Sequence, residues 1–340
     1  MVAAAITRFT VEDPMHGHVP CVEVSAGSSQ RELPVCLYLY GGSGSAETLV
    51  QLAPWLDASW QSGALPACRV VTPDVGPFSF YLDDAARGYG WESFIAQRLL
   101  DRVAPRPQRV GMVGTSMGGY GALKLAFTHA ERICAVAANA PMLEPSEDAR
   151  AVPARNRYHY PSAVPEALLG PERDPELFAA DHPCRRARLQ RDHIVAQQLA
   201  IYVDAGSDDA LNAHDGAEYL HRVLWELDIV HEYHLLAHAD HVGPSMLPRL
   251  AACFAWVLSR VMGRMQPTAA SLSELELTWA AWLDAGGAGG APKGLPALPA
   301  TSSLMPRVLR AQLAPLRSAA EALDPSVRRH YGALPAKLAL

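Results

Sequence analysis

The sequence predicts an α/β protein built on a mostly parallel, doubly wound sheet. Short apolar runs rich in Val, Ile and Tyr recur at 35–40, 69–72, 110–114, 133–138, 200–204 and 230–236. They are unbroken more than alternating, which suits strands covered on both faces. Longer stretches of helical period lie between them, and strand–helix alternation supplies the crossovers that a parallel sheet needs.

Each element has its own signal. The start, Met1-Val-Ala-Ala-Ala-Ile6, runs to Arg8 and then Glu12-Asp13 without a basic segment, an apolar core or a cleavage site, so no signal peptide is read there. The run 35–40 leads into Gly41-Gly42-Ser43-Gly44, a loop able to expose several backbone N–H groups. Residues 215–227 read as a helix opened by a capping box of Asp215 with Glu218, with Leu220, Val223, Leu224 and Leu227 on one face. Two regions fall outside the alternation. Residues 151–191 are polar and dense in Arg and Pro, and read equally well as a cap over an active site or as a surface excursion. After 265 the chain turns to Ala, Pro and Gly, with a linker-like run at 286–300 and a helix at about 303–323 interrupted by Pro315. The expected division is a catalytic domain over 1–264 and an Ala/Pro-rich helical extension over 265–340, whose apolar residues need a surface to cover, on the core or in a homo-oligomer.

Composition narrows the function classes. With 340 residues, 49% hydrophobic and 19% charged, the chain is an ordinary globular one. A net charge of −6 gives no electrostatic footprint for nucleic acid or an anionic membrane. No apolar run was read as long enough to span a bilayer, and a cytoplasmic location is expected. Cys21, Cys36, Cys68, Cys134, Cys184 and Cys253 are scattered without a CxxC pair and read as small buried thiols.

The decisive segment is Arg109-Val-Gly-Met-Val-Gly114-Thr115-Ser116-Met117-Gly118-Gly119-Tyr120-Gly121-Ala122-Leu123. It reads as strand, G-x-S-x-G, helix: the nucleophile elbow of an α/β-hydrolase. Turning a strand into a helix within so few residues strains the central residue and demands tiny neighbours. The strain lifts the Ser116 Oγ clear of the sheet, and the Met117 N–H falls at a helix N-terminus, where it can bind an oxyanion. A phosphate-binding turn is the other reading of such glycines, but the P-loop Lys and the G-x-G-x-x-G spacing are both absent. Such a fold presents its acid after the serine and its His last. The run 200–204 leads into Asp204-Ala-Gly206-Ser-Asp208-Asp209, and 230–236 leads into His238-Ala-Asp240-His241. A carboxylate and an imidazole at these strand ends can reach the serine's side of the sheet.

The elbow, together with Leu37-Tyr-Leu-Tyr-Gly41-Gly42-Ser-Gly44, Ser79-Phe-Tyr-Leu-Asp83, Trp91-Glu-Ser-Phe94, the Asp204–Asp209 segment and Ala239-Asp-His241, resembles the esterase D group of α/β-hydrolases. That group includes S-formylglutathione hydrolases, feruloyl esterases and mycolyltransferases; the likeness is greatest to its "putative esterase" branch and covers about residues 35–261. The resemblance implies Asp209 as the acid, with Asp208 as competitor and Asp204 supporting the turn. It favours His241 over His238 as the base, and Gly42, with Ser43 next, as the second oxyanion donor beside Met117. Many relatives carry His where this chain has Tyr40, which puts the loop's supporting hydrogen bond in question.

His238-Ala-Asp240-His241 approaches the H-x-H-x-D-H run of binuclear zinc hydrolases, but the first His of that run falls on Leu236, which cannot ligate. The expected chemistry is cofactor-free and metal-free cleavage of a small-molecule carboxylic ester or thioester through an acyl-enzyme on Ser116. Acyl transfer by the same residues is the nearest alternative, and a non-catalytic binding protein on a hydrolase core is the alternative from another class. The arginines of 150–191 hint at an anionic group, with a solvated basic face as the plainer reading.

Overall fold

A computed structural model describes residues 4–27, 33–84, 88–156 and 175–265. The chain divides after Met265, and the unit from Gln266 to Leu340 lies outside the described residues. So do the expected linker, its helix and the self-association surface, together with 157–174 of the polar insertion.

Eight strands form one mixed sheet: β1 (Ala5–Asp13), β2 (Gly17–Ser25), β3 (Val35–Leu39), β4 (Arg69–Pro73), β5 (Val110–Thr115), β6 (Ile133–Asn139), β7 (Ala200–Gly206) and β8 (Glu232–Leu236). Their spatial order is β1-β2-β4-β3-β5-β6-β7-β8. From β4 to β8 every pairing is parallel. The six apolar runs are β3 to β8, and β3, β5 and β6 are buried almost end to end. The antiparallel hairpin β1–β2, with β2 antiparallel to β4, is the element the sequence reading missed. Its signal is alternation: β2 buries Val19, Cys21, Val22 and Val24, while most of β1 faces outward. Half-solvated strands do not make unbroken apolar runs.

Helices cover both faces: α1 (Glu47–Gln61), α2 (Trp91–Phe94, continuing through a π-helical turn at Ile95–Leu99 to Leu100–Val103), α3 (Met117–Thr128), α4 (Pro175–Asp181), α5 (Pro183–Leu189), α6 (Arg191–Ala196), α7 (Ala213–Glu226) and α8 (Met246–Met265). The core they enclose takes in all six cysteines, each a buried free thiol. α8 is long and apolar enough at Met246–Gly263 to cross a membrane by length and composition, contrary to the sequence reading. Here Leu250, Cys253, Phe254, Val257, Leu258 and Val261 are buried, and the helix packs on β5, β6 and β7.

The capping box expected for α7 does not form. The helix begins at Ala213 behind Asn212, which adopts a left-handed conformation (φ 55°) and makes no side-chain cap. Asp215 instead accepts hydrogen bonds from Arg155 (2.6 Å) and Asn156 (3.0 Å), and Glu218 pairs with Arg222. A long-range ion pair has taken the carboxylate that the local pattern assigned to the cap. The described end of the polar insertion belongs to the body of the fold, with α5 packed between α3 and α7.

Candidate active site

The strand-to-helix turn forms as the sequence requires. β5 ends at Thr115, α3 begins at Met117, and Ser116 between them has φ 55° and ψ −117°. A non-glycine residue rarely holds such a backbone, and here neighbours fix it from both sides. The Ser116 N–H donates to the Asn139 carbonyl (2.9 Å), and its own carbonyl accepts from Tyr120 (3.1 Å) and Met142 (3.0 Å). The flanking glycines are steric necessities. A Cβ on Gly114 would lie 2.1 Å from the Gly118 carbonyl oxygen, and one on Gly118 would lie 1.9 Å from that of Leu39.

Three loops bring the remaining groups to Ser116. His241, beyond β8, places Nε2 2.8 Å from Ser116 Oγ and Nδ1 2.8 Å from Asp209 Oδ2. Asp209, beyond β7, also accepts the Leu211 N–H at 2.8 Å, so both its oxygens are engaged. The Asp209 carboxylate can only accept, so the network assigns the proton to Nδ1 and leaves Nε2 to receive the serine O–H. Asp209 and His241 are buried while Ser116 is only partly buried, so the chain of hydrogen bonds ends on an oxygen that a substrate can reach.

The competing residues lie outside this chain. His238 and Asp208 have side chains 90% and 57% exposed and meet each other at 3.4 Å in solvent. Asp204 is fully buried and bonded to Asn139 and Arg249. Asp240, which the sequence reading met only in the metal-like run, joins two loops: its Oδ1 accepts from His241 N–H (2.5 Å) and Ala210 N–H (2.9 Å). Those two donors hold its carboxyl below the ordinary aspartate range.

On the other side of Ser116 runs the 40–44 loop. A Cβ on Gly41 would stand 3.3 Å from that of Ser116, so this backbone abuts the serine. Ser43 N–H is committed to the Pro77 carbonyl (2.8 Å) and Gly44 N–H to that of Gly41 (3.1 Å), which removes Ser43 as a donor and keeps Gly42 as the candidate beside Met117. The Tyr40 hydroxyl accepts from Val75 N–H (2.8 Å) and lies 3.2 Å from the Gly76 carbonyl. Tyr81 donates its hydroxyl to the Tyr40 carbonyl at 3.0 Å. Burial pushes both phenols above their ordinary range, so they stay protonated as donors. A tyrosine thus supports the loop, through its own hydroxyl and through the Tyr81 hydroxyl on its carbonyl.

Among the described residues no group of three or more His, Cys, Asp or Glu side chains converges to hold a metal ion. Most described arginines of 150–191 are already paired: Arg150 with Asp148, Arg155 with Asp215, Arg186 with Glu92, Arg188 with Glu147 and Arg191 with Asp192. Each of these five is held against its own carboxylate, three of them on distant parts of the chain.

The sheet order, the strained serine and the order of serine, acid and histidine define the α/β-hydrolase class. Residues 20–243 match the family model described as "Putative esterase", and the chain belongs to that family of carboxylic ester hydrolases. Solved structures share the fold at low identity. A ferulic acid esterase superposes with a TM-score of 0.60 at 17% identity, covering 77% of this chain and 100% of its own. MPT51 (FbpC1) of Mycobacterium tuberculosis gives 0.58 at 19%, covering 76% and 100%. An S-formylglutathione hydrolase from Agrobacterium tumefaciens gives 0.58 at 17%, covering 77% and 97%. No curated protein sequence matches the chain.

Proposed function

We propose that the chain hydrolyses a carboxylic ester or thioester through an acyl-enzyme on Ser116. The observation that carries this is the continuous Ser116–His241–Asp209 hydrogen-bond chain, 2.8 Å at each step, running from the buried Asp209 and His241 to a partly buried serine. His241 Nε2 takes the Ser116 proton as Oγ bonds to the acyl carbon. Asp209 keeps the ring in the tautomer that can accept, and stabilises the imidazolium that results. The Met117 and Gly42 N–H groups bind the tetrahedral oxyanion, a role suited to donors on fixed backbone. The intermediate collapses, the C–O or C–S bond breaks, and the leaving alcohol or thiol departs with the proton from His241. Water, activated by the same His241, then attacks the acyl carbon and releases the acid and Ser116.

Product partitioning tests the reading. A short-chain aryl ester and its thioester are supplied with and without a millimolar alcohol or sugar acceptor, and free acid is quantified against new ester. Acid should dominate, with an acylated Ser116 peptide trapped by rapid acid quench. New ester exceeding acid at modest acceptor concentration would make the protein an acyltransferase. No turnover and no labelling by a fluorophosphonate would make it a binding protein on this fold.

A further inference from the structure

The loop that carries His241 is tied to the segment after β7, with the Asp208 N–H on the Ala239 carbonyl (3.1 Å) and the Ala210 N–H on Asp240 Oδ1 (2.9 Å). It leaves β8, an edge strand with a neighbour on one side only, and four residues separate Leu236 from His241. A buried pair outside the Ser116–His241–Asp209 chain adds a further anchor: Arg249, the fourth residue of α8, and Asp204, within β7.

Both side chains are sealed, at 2% and 0% exposure. Arg249 gives Nε and Nη2 to Asp204 Oδ1, at 3.0 and 2.6 Å, and turns Nη1 onto the carbonyl of Asp240 at 2.8 Å. Asp240 is the residue directly before His241. Asp204 reaches the opposite way. Its carboxylate accepts the Asn139 side-chain amide (3.0 Å), and its carbonyl accepts the Ala140 N–H (2.9 Å). Asn139 is the residue whose own carbonyl receives the Ser116 N–H. One buried carboxylate therefore stands between the backbone of the nucleophile and the backbone of the histidine, and its strand continues to Asp209.

A rigid guanidinium can make this connection because its N–H groups diverge at fixed angles; an ammonium on a flexible stem cannot serve both partners with the same geometry. A buried ion pair is a poor way to gain stability, since both charges must first be stripped of water. It is an effective way to fix one loop against another. We propose that Arg249 and Asp204 are positioning residues that set the distance between His241 Nε2 and Ser116 Oγ. The proposal rests on the reading of His241 as the base.

The test uses the full chain and two variants. Arg249→Lys keeps a cation beside Asp204 and loses the bond to the Asp240 carbonyl. The double variant Asp204→Asn/Arg249→Met removes both charges, so neither is left buried alone. Each should keep its native near-UV circular dichroism while kcat on an aryl ester falls about 10- to 100-fold with KM within about twofold, as a misplacement near 1 Å costs. The rate of fluorophosphonate labelling, which needs the Ser116–His241 geometry but no substrate pocket, should fall by the same factor. Folded variants with wild-type kcat and labelling rate overturn the proposal. So does loss of the native fold in both variants, which would make the pair structural alone. His241→Ala, measured beside them, separates the two levels: an active His241→Ala refutes the reading of the site, whereas an inactive one beside fully active Arg249 variants refutes only the positioning role.

Discussion

Helix α3 carries two buried polar networks, one at its start and one on its flank, and they differ in a way that separates chemistry from architecture. At the start, Ser116, His241 and Asp209 are linked by two 2.8 Å bonds. On the flank, Lys124, wholly buried, places Nζ 2.7 Å from Asp181 and 3.3 Å from Glu92. Arg186 closes on Glu92 at 3.3 Å, and the Tyr120 hydroxyl donates to Asp181 at 2.8 Å. By number of contacts the flank is the richer network. Yet Lys124 and both carboxylates are buried and matched in charge, and only Arg186, 25% exposed, reaches partly into solvent, so no carboxylate or amine is left to react. The other network ends on the oxygen of a partly buried serine held on a left-handed backbone. Connectivity alone does not mark a reactive site; a strained, reachable terminal atom with a base behind it does.

The largest effect should appear at that terminal atom. Ser116→Ala should lower turnover by about 10⁴-fold or more and abolish fluorophosphonate labelling, with no drop in melting temperature. His241→Ala should cost nearly as much, and Asp209→Asn somewhat less. The solvent-facing pair supplies the contrast: Asp208→Asn and His238→Ala should stay near wild type. Loss of activity in His238→Ala with His241→Ala intact would assign the wrong histidine.

The flank network should respond in the opposite currency. Lys124→Met leaves Asp181 and Glu92 with Arg186 as their remaining close cation and should destabilise the fold by about 3–5 kcal/mol in urea denaturation. The activity of the molecules that remain folded should hardly change. A variant of wild-type stability with collapsed kcat would erase the distinction between the two networks.

Much of this contrast was legible before any coordinates. The elbow was, because the steric demands of G-x-S-x-G are local: Gly114 and Gly118 are required by atoms within a few residues or on the adjoining strand. The inner parallel strands were legible because burial on both faces writes itself as an apolar run, whereas β8, at the sheet edge, is only partly buried. The β1–β2 hairpin was not, since one of its faces is wet. The α7 cap failed for a related reason. Asp215 fits the local pattern, but Arg155, 60 residues away, claims it. Arg249 and the Glu92–Lys124–Asp181–Arg186 cluster were equally invisible, because their partners are brought together by the tertiary fold and share no spacing along the chain. Choosing Asp209 over Asp208 and His241 over His238 needed family resemblance, because each pair offers the same chemistry within three residues.

Between the two networks in kind lies His182, a buried histidine with no reaction to perform. Its Nε2–H donates to the Glu144 carbonyl (3.0 Å) and its Nδ1 accepts the Cys184 N–H (3.2 Å). Burial pushes its pKa down to about 4. The folded value lies below the unfolded one, so the folded state prefers the neutral ring and the unfolded state binds the proton first. Its stabilisation is therefore complete above about pH 6.5 and declines as pH falls toward 4, by about 3 kcal/mol in all. His182→Asn can still accept from Cys184 but does not titrate. It should begin from lower stability at pH 7 and lose less of it between pH 6.5 and 4 in urea melts. An unchanged slope would assign the acid limb to other groups.

The smallest effect tests whether support for the site can be told from the site itself. Tyr40→Phe removes the hydroxyl that accepts the Val75 N–H and faces the Gly76 carbonyl, while keeping the ring that packs beside Tyr81. Leaving those buried groups unpaired should cost about 1–3 kcal/mol of stability. The carbonyl of Tyr40 stays bound to Tyr81 and the Ser43 N–H to the Pro77 carbonyl, so the Gly41–Gly42 backbone keeps an anchor on each side. We therefore expect kcat to fall by about tenfold at most, with KM little changed, because an oxyanion donor acts mainly on the transition state. Tyr40→His, which places the residue of many relatives at this position, should recover part of the kcat if its ring reaches the same partners. Should Tyr40→Phe lose stability and keep full kcat, Tyr40 belongs with Lys124 as architecture, and Tyr81 with the Ser43–Pro77 bond holds the loop that carries Gly42.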